Sequence, residues 1–585
     1  MGEVGLLIDH TDEPASPPGR VEDSRPASRN SFADARPSPA RRAAWLACAA
    51  LLLVYLALSF LIDVRGALLA DSGGKLATVA TMAERSTLDP DVGYWAADAD
   101  PDGVLHPLRF TNRVGDSWVQ ATTLPMLYAA IPLYDLGGFR AVLVLPMIGA
   151  LLSALAARAI ARRLGADDRT AWSAFWAIGL LTPVALYALA FWEHTLGLAA
   201  MLWAIALALD ATEGRIQGWR FLAIGALFGA AASMRTEALV YFVTTMLVVG
   251  VVLIRQRTSL RRMVSAGFAT AIGLVALVAA NELLERVVLG GSVRVARASG
   301  TVAASADAVR VRVEGAVTSV VGINGFGSGS DPVLGAAVVL GVVVAVWLLS
   351  SRERIRVVAA VVVLVVVGVV YVARFSVPAY LPGLLVASPL AAAGLAVTWS
   401  TARLRVVAVI ALLPLPLIWA TQFLDSQRFQ WGNRFALPSG VLLAVVAVVV
   451  LTRRRAALAS VLVLSLVVAT FALLFLADQT RSIAEGIPRL VAPGDALVVS
   501  TEAHLWREGG AFYGPDQRWL AVGDRSELRQ TARVAERHEL ARILVVAADH
   551  TGLPSSIGSY EKARVVEHLE VLPHGRLKVV EYQAP

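Results

Sequence analysis

Residues 357–371 read VVAAVVVLVVVGVVY and contain no charged side chain. Residues 44–62 read AWLACAALLLVYLALSFLI, a second uncharged run of about 19 residues. An α-helix of about 20 apolar residues is long enough to cross the hydrocarbon core of a bilayer. Because such runs recur along the chain, as at 441–451, the sequence predicts an α-helical polytopic membrane protein.

The overall composition agrees with this prediction. Of the 585 residues, 57% are hydrophobic and 17% are charged, and the mean hydropathy is +0.64. Soluble globular proteins carry about 25% charged residues, so a soluble enzyme, a disordered protein and a collagen-like fibre are excluded. The single cysteine, Cys48, allows neither an intrachain disulfide nor a cysteine metal site.

About thirteen apolar runs are candidates for membrane-spanning helices. They lie near residues 44–62, 138–158, 171–188, 194–209, 220–234, 238–254, 264–282, 333–350, 357–372, 384–400, 406–423, 437–451 and 456–476. Arginine clusters such as Arg162–Arg163 and Arg453–Arg455 stand at ends of these runs that belong to one membrane face. By the positive-inside rule that face is cytoplasmic. We therefore expect a plasma-membrane protein with a cytoplasmic N-terminus, an extracytoplasmic C-terminal segment and no nucleic-acid partner, despite its isoelectric point of about 9.7.

The chain divides into three expected parts. Residues 1–42 are rich in Pro, Ser, Asp and Arg and are expected to form a disordered cytoplasmic tail. Residues 43–476 form the expected transmembrane domain, with long outer loops at 63–137 and 283–332. Residues 477–585 alternate between strand-like and helix-like patterns, which predicts a small extracytoplasmic α/β domain.

Four polar groups stand at the outer ends of the predicted spans. Asp71 follows the first span, and residues 191–194 (FWEH) form the turn between the third and fourth. Residues 234–237 (MRTE) separate the fifth from the sixth, and residues 430–435 (QWGNRF) precede the twelfth. Charges this close to hydrocarbon are costly and are usually paired or functional. For any single residue, an interfacial salt bridge is an equal alternative, but four groups on one face favour a functional site.

In this arrangement the chain resembles the GT-C superfamily of membrane glycosyltransferases, which use polyprenyl-phosphate sugars. Members carry an acidic residue shortly after the first span, the position of Asp71, and an acidic turn similar to residues 191–194. Residues 225–237 (GALFGAAASMRTE) resemble the small-residue helix that ends in an Arg-x-Glu element. Residues 431–438 (WGNRFALP) resemble a Trp-Gly-x-Arg-aromatic-x-Leu-Pro element of some bacterial subfamilies.

The chain also departs from the superfamily pattern. Members often have two adjacent acidic residues in the first loop, whereas Asp71 is followed by Ser72. This departure counts against a metal site of the family type at this position, and the eight histidines show no metal-ligand spacing. We therefore predict no metal ligand, and we leave a divalent cation open as a cofactor.

The resemblance implies an active site that transfers a sugar with inversion at the anomeric carbon. A base must accept the proton of the acceptor hydroxyl, and we assign this role to Asp71. Arginine binds the departing phosphate through its two-pronged guanidinium group, and Arg235 is the first candidate. Lys75, one helical turn after Asp71, would lower the pKa of the base or contact phosphate. The predicted catalytic residues are Asp71, Glu193 and Arg235, and the predicted substrate-binding residues are His194, Glu237, Lys75, Arg434 and Trp431.

The sequence therefore favours a glycosyltransferase, either hexosyl- or pentosyl-transferring, on the outer face of the membrane. Its expected partners are a polyprenyl-phosphate-linked donor, membrane lipids and an envelope glycan, lipid or protein acceptor. A transporter or flippase of a lipid-linked sugar and an envelope assembly protein are the alternatives. Transporters place polar side chains near the middle of the membrane, whereas the middles of these spans are almost free of charge, which favours the enzyme.

Overall fold

The computed structural model describes residues 39–67, 70–120, 123–214, 218–291, 306–325, 329–351, 353–377, 380–421, 430–490 and 496–585. Most of the predicted tail, part of the second outer loop and residues 422–429 lie outside this described part. The described residues from 49 to 585 form one compact unit.

Helices dominate the described residues up to 490. The first group comprises α1 (Pro39–Leu58), α2 (Ala70–Glu84), α3 (Leu124–Val142), α4 (Val144–Arg163), α5 (Asp168–Leu180), α6 (Pro183–Tyr187), α7 (His194–Thr212), α8 (Gly218–Met234), α9 (Glu237–Arg255) and α10 (Leu260–Leu289). The second group comprises α11 (Ala306–Val321), α12 (Pro332–Leu348), α13 (Arg354–Phe375), α14 (Leu384–Ala387), α15 (Pro389–Val397), α16 (Ala402–Leu412), α17 (Pro414–Thr421), α18 (Leu437–Leu451) and α19 (Arg455–Leu490).

Nine of the helices in the described part are long and apolar enough to cross a membrane, and three shorter helices are also apolar. The polytopic α-helical fold is thereby confirmed, whereas the predicted count of thirteen spans is not. One predicted span, 171–188, is divided between α5 and α6 because Pro183 cannot donate the backbone hydrogen bond that would continue a helix. Another, 456–476, continues to Leu490, so the predicted boundary at residue 477 falls inside α19.

Close helix contacts depend on small residues, as is usual between membrane helices. A Cβ atom on Gly225 of α8 would collide with the carbonyl oxygen of Thr270 on α10. The alanines and glycines of the segment 225–233 thus let α8 and α10 lie with their backbones in near contact. This packing holds the end of α8, and with it Arg235, in a fixed place.

The described residues of the predicted first outer loop include an antiparallel hairpin. Helix α2 opens this loop, and strands β1 (Thr111–Val114) and β2 (Ser117–Gln120) pair across a turn at Gly115. Asp100, from an acidic stretch of this loop, is buried and accepts hydrogen bonds from the Tyr94 hydroxyl and the backbone N–H of Leu105. A second, three-stranded sheet of short strands joins β3 (Ile323–Gly325), β4 (Gly329–Asp331) and β5 (Tyr380–Pro382).

The predicted C-terminal domain is present as a six-stranded mixed sheet. Its elements are β6 (Ala496–Ser500), α20 (Leu505–Glu508), β7 (Trp519–Ala521), α21 (Arg525–Arg537), β8 (Arg542–Ala548), β9 (Ser556–Ile557), β10 (Tyr560–Val571) and β11 (Gly575–Gln583). The strand order is β7-β6-β8-β11-β10-β9, with β6 parallel to both of its neighbours. The first outer loop packs on this domain, since the indole N–H of Trp95 donates to the carbonyl of Trp519 at 3.0 Å.

Helix α7 separates two charged ends of the membrane domain. At its C-terminal end, Asp210 accepts two hydrogen bonds of 2.8 Å from Arg163, in an arginine-rich region. Glu193 directly precedes its N-terminal end, without a capping hydrogen bond from the side chain. A rise of 1.5 Å per residue places these two carboxylates about 25 Å apart along the helix. The predicted polar groups therefore gather at the end opposite the arginine clusters.

Candidate active site

Asp71 lies in the first turn of α2 between two arginines from distant parts of the chain. Its Oδ2 accepts a hydrogen bond of 2.9 Å from Nη1 of Arg434, and its Oδ1 accepts one of 2.9 Å from Nη2 of Arg507. The Asp71 side chain is 33% exposed, whereas that of Arg507 is 2% exposed. The carboxylate is therefore the accessible member of a largely buried charge cluster.

The same contacts set the protonation state of Asp71. Burial alone would raise the pKa of this carboxyl group, but the positive charges of Arg507, Arg434 and Lys75 outweigh burial and hold the pKa well below its usual range. Asp71 is consequently an ionised, hydrogen-bond-accepting group at neutral pH.

Glu193 joins two of the predicted cations. Its Oε2 lies 2.7 Å from Nζ of Lys75, and its Oε1 lies 3.4 Å from Nη1 of Arg235. Arg235 also donates from Nε to Oε1 of Glu237 at 2.8 Å. All four side chains are buried, so each charge here is balanced by a neighbour and held in a fixed geometry, as burial of charge requires.

Aromatic rings separate and support the arginines. The guanidinium carbon of Arg434 lies 4.8 Å from the ring centroid of Trp192 and 4.7 Å from that of Phe435. The guanidinium of Arg235 lies 5.2 Å from the same Phe435 ring. Cations are attracted to aromatic faces, more strongly where water is excluded. Trp192 and Phe435 thus position two arginines that would otherwise repel each other.

His194 is buried beside this cluster. Its ring stacks on that of Tyr187, with 5.4 Å between the ring centroids and 8° between the ring planes. The centroid of the His194 ring also lies 3.8 Å from that of the Trp192 ring. Neither ring nitrogen has a hydrogen-bond partner among the described residues. A buried polar group without a partner is unusual, so His194 retains the capacity to bind a hydroxyl or an anion.

Trp431 occupies a different environment from the other predicted site residues. Its ring packs against Phe375 and Phe475, and its backbone carbonyl accepts a 2.9 Å hydrogen bond from the Tyr187 hydroxyl. The Trp431 ring therefore lies in an apolar contact. The structure brings the other seven predicted site residues together: Asp71, Lys75, Glu193, His194, Arg235, Glu237 and Arg434.

Arg507 is the residue that the sequence analysis missed. It comes from α20 of the C-terminal domain, and its approach to α2 depends on small residues. A Cβ atom on Gly73 would collide with the carbonyl of Arg507, and one on Gly510 would collide with the carbonyl of Gly73. The Gly73–Gly74 pair after Asp71 signals that another backbone packs there, although it does not identify the partner.

The charge and hydrogen-bonding capacity of the cluster suit an anionic, hydroxyl-rich ligand. Lys75, Arg235, Arg434 and Arg507 outnumber the carboxylates of Asp71, Glu193 and Glu237. The Nε atoms of both Arg434 and Arg507 and the indole Nε1 of Trp192 are buried N–H donors without a hydrogen-bond partner in the described chain. Guanidinium donors of this kind match phosphate oxygens. Within the described residues, no group of three or more His, Cys, Asp or Glu could hold a metal ion.

Comparison with known proteins gives structural matches only. Neither a protein-family model nor a curated protein matches this sequence. ArnT from Cupriavidus metallidurans in the apo state matches with a TM-score of 0.47 and 16% identity, over 92% of this chain and 98% of that chain. The same protein bound to undecaprenyl phosphate matches with a TM-score of 0.45 and 17% identity, over the same shares.

A second protein matches over less of its length. The oligosaccharyltransferase AglB from Archaeoglobus fulgidus, in complex with an inhibitory peptide and a dolichol-phosphate, has a TM-score of 0.40 and 12% identity, over 86% of this chain and 69% of that chain. The solved structures that the chain matches thus include those of an ArnT and an archaeal oligosaccharyltransferase.

Proposed function

We propose that the chain is a glycosyltransferase that moves a sugar from a polyprenyl-phosphate donor to an envelope glycan, lipid or protein acceptor. The observation that carries the proposal is the accessible carboxylate of Asp71, held in a cluster with an excess of basic side chains. Such a cluster supplies the two requirements of the reaction, a base for the acceptor and positive charge for the departing phosphate.

Asp71 acts as the base in this mechanism. The acceptor oxygen attacks the anomeric carbon while its proton passes to the Asp71 carboxylate. The bond from the anomeric carbon to the phosphate oxygen breaks with inversion, and the electron pair leaves on the polyprenyl phosphate. A carboxylate paired with two arginines is a weak base, so it accepts the proton only as the hydroxyl becomes acidic during attack. Arg434 and Arg507 keep it ionised and oriented until then.

The basic residues stabilise the charge that develops on the phosphate. Nε of Arg434 has no hydrogen-bond partner among the described residues, and Arg235 lies against the same Phe435 ring. Glu193 and Glu237 hold Arg235 in place through ion pairs. Lys75 adds a further charge next to Glu193. Donors fixed before the reaction stabilise developing charge better than donors that must reorganise.

The position of the cluster favours an enzyme over a transporter. The charged side chains gather where helices begin or end, at the N-terminus of α7, after α8 and before α18. A transporter would place its substrate-binding groups near the middle of broken helices. We assign the cluster to the outer face of the plasma membrane because the arginine-rich helix ends lie at the opposite end of the bundle.

A comparison of strains tests this function. Envelope glycans and lipid-linked sugars are analysed in the wild type, a deletion strain and an Asp71→Asn strain at matched expression. We expect both altered strains to lose one sugar of an envelope glycan while its polyprenyl-phosphate donor accumulates. Asp116→Asn, a fully exposed change in the same loop, is the control. Normal glycans and normal donor levels in the deletion strain would contradict the proposal.

A further inference from the structure

Phe110 is a large apolar side chain at the surface beside the candidate active site. It is 62% exposed. Its ring stacks on that of His504 with centroids 5.8 Å apart and planes 26° apart, and the guanidinium carbon of Arg507 lies 5.2 Å from its centroid. Arg507 is the residue that binds Asp71. Phe110 and the proposed base therefore contact the same guanidinium group.

The backbone of Phe110 has a conformation that a bulky residue rarely adopts. Its φ angle is +66°, in the left-handed region, where the Cβ atom crowds the following carbonyl. The flanking residues are firmly held. Arg109 pairs with Glu527 of the C-terminal domain, and the carbonyl of Leu108 accepts a 2.8 Å hydrogen bond from Nε2 of Gln120. Left-handed bulky residues persist only where their surroundings fix them, and they concentrate at functional sites.

We propose that Phe110 is a binding platform for a saccharide ring of the acceptor, against which the apolar C–H face of that ring packs. This inference rests on the proposed function and narrows the acceptor to a molecule that already carries a sugar. One face of a sugar ring is apolar and its rim carries hydroxyls. An exposed aromatic ring flanked by hydrogen-bonding side chains matches this pattern, because aromatic rings contribute contact area and polar neighbours set orientation.

The polar neighbours of Phe110 are suited to hydroxyl groups. His504 is exposed and lies beside the ring. The buried Nε of Arg507 has no hydrogen-bond partner among the described residues, although Nη2 of the same group binds Asp71. A sugar packed on Phe110 would therefore lie on a ring that itself contacts the guanidinium bound to the base. The acceptor hydroxyl that reacts at Asp71 would belong to this sugar or to the next one in the glycan.

The surroundings of Phe110 favour a glycan over the bilayer. Aromatic residues that anchor proteins in a membrane interface stand in apolar faces or aromatic belts. Phe110 instead stands among charged and ionisable groups, Arg109, Glu527, His504 and Arg507. We therefore commit to a saccharide as the occupant, and membrane anchoring becomes an outcome of the test.

Saturation-transfer NMR on the purified full-length protein in detergent tests the platform directly. The probes are methyl α-D-mannopyranoside, methyl α-D-glucopyranoside, methyl β-D-galactofuranoside and methyl α-D-arabinofuranoside. We expect at least one of these to bind the wild type and Phe110→Trp, and its apparent dissociation constant to rise by about tenfold in Phe110→Gly. Glycine adopts a positive φ readily, so Phe110→Gly should melt at or above the wild-type temperature. Leu88→Ala, another exposed change in the same loop, should bind as the wild type does.

Two outcomes would overturn the inference. They are the absence of binding for all four glycosides in the wild type and equal binding in Phe110→Gly. In the second case, a loss of affinity for anionic phospholipid vesicles in Phe110→Gly would assign Phe110 to membrane anchoring. The binding measurement requires no sugar transfer. A protein that binds a glycoside through Phe110 but leaves the strain glycans unchanged would therefore contradict only the proposed function.

Discussion

Arg507 and Asp71 are 436 positions apart in the sequence, and their side chains meet at 2.9 Å between Nη2 and Oδ1. One belongs to the C-terminal sheet domain and the other to the first helix of the outer loop. The domain is therefore part of the candidate site and contributes one of its buried cations. A chain that lacked this domain would leave Asp71 with Arg434 as its hydrogen-bonded arginine.

Removal of the Arg507 charge should change the pH dependence of transfer. In the wild type, the depressed pKa of Asp71 keeps the carboxylate ionised as the pH falls through the usual carboxyl range. Arg507→Met removes the largest favourable charge, so the pKa of Asp71 rises and the acid limb of kcat/KM moves to higher pH. Arg507→Lys should keep most of the wild-type profile.

The pH–rate profile of purified protein measures this effect, with Arg525→Met on the exposed side of α21 as the control. A purely structural role for Arg507 would lower activity equally at every pH. An acid limb that stays in place in Arg507→Met would contradict the charge coupling.

Gly73 provides a steric test of domain docking. Gly73→Ala places a Cβ against the carbonyl of Arg507, which must move and carry its guanidinium away from Asp71. We expect transfer activity to fall by at least about tenfold, because a displacement of an ångström is costly in a preorganised site. Limited proteolysis of the C-terminal domain should accelerate in the same variant. Gly250→Ala on α9, where a Cβ meets no atom within 4 Å, should leave both measurements unchanged.

Glu193 should be required for stability as well as for activity. Glu193→Gln removes the carboxylate that lies 2.7 Å from Lys75 and 3.4 Å from Arg235. Removal of one partner from a buried ion pair costs about 3–5 kcal/mol, so the protein in detergent should melt several degrees lower. Glu353→Gln breaks an exposed pair with Arg356 and should cost no more than about 1 kcal/mol. Equal melting temperatures for the two variants would show that the buried network does not stabilise the fold.

The raised pKa of His574 predicts that the protein loses stability at alkaline pH. Burial would lower the pKa of His574, but Glu508, whose Oε2 lies 2.7 Å from Nε2, and Glu502 raise it to about 10. A histidine with a raised pKa stabilises the fold fully below its ordinary value near 6.5, and this stabilisation disappears as the pH rises towards 10. The melting temperature should therefore fall across pH 7–10.

In His574→Gln this fall should be shallower, and the protein should be less stable than the wild type at pH 6. His568→Gln changes an exposed histidine of the same domain and serves as the control. If the wild type and His574→Gln show parallel curves, His574 is neutral in the folded protein.

The sequence predicts the helices well because membrane segments must satisfy their own backbone hydrogen bonds. It fails where local pattern and environment differ. Residues 560–571 (YEKARVVEHLEV) form a long strand, but most of them are exposed, so no alternation of apolar residues marks it. Residues 477–490 extend α19 beyond the apolar run because Ile483 and Ile487 are buried against the C-terminal domain. Neither feature follows from hydropathy alone.

The site residues could be predicted to the extent that they stand at the ends of apolar runs. Asp71, Glu193, Arg235 and Arg434 do so, and the structure brings all four together. Arg507 stands in the C-terminal sheet domain among many other arginines, so its pairing with Asp71 is a tertiary contact that no local pattern reveals. Trp431 belongs to the same sequence motif as Arg434, but its ring packs against Phe375 and Phe475.

The most direct test of the account is transfer from a defined polyprenyl-phosphate sugar by purified protein and its Asp71→Asn variant. The donor is the one that accumulates in the deletion strain, and the acceptor is membrane material from that strain. We expect Asp71→Asn to bind the donor with wild-type affinity and to transfer about 100-fold or more slowly, as expected for loss of a general base. Full transfer by a folded Asp71→Asn protein would contradict the central claim that this carboxylate is the base.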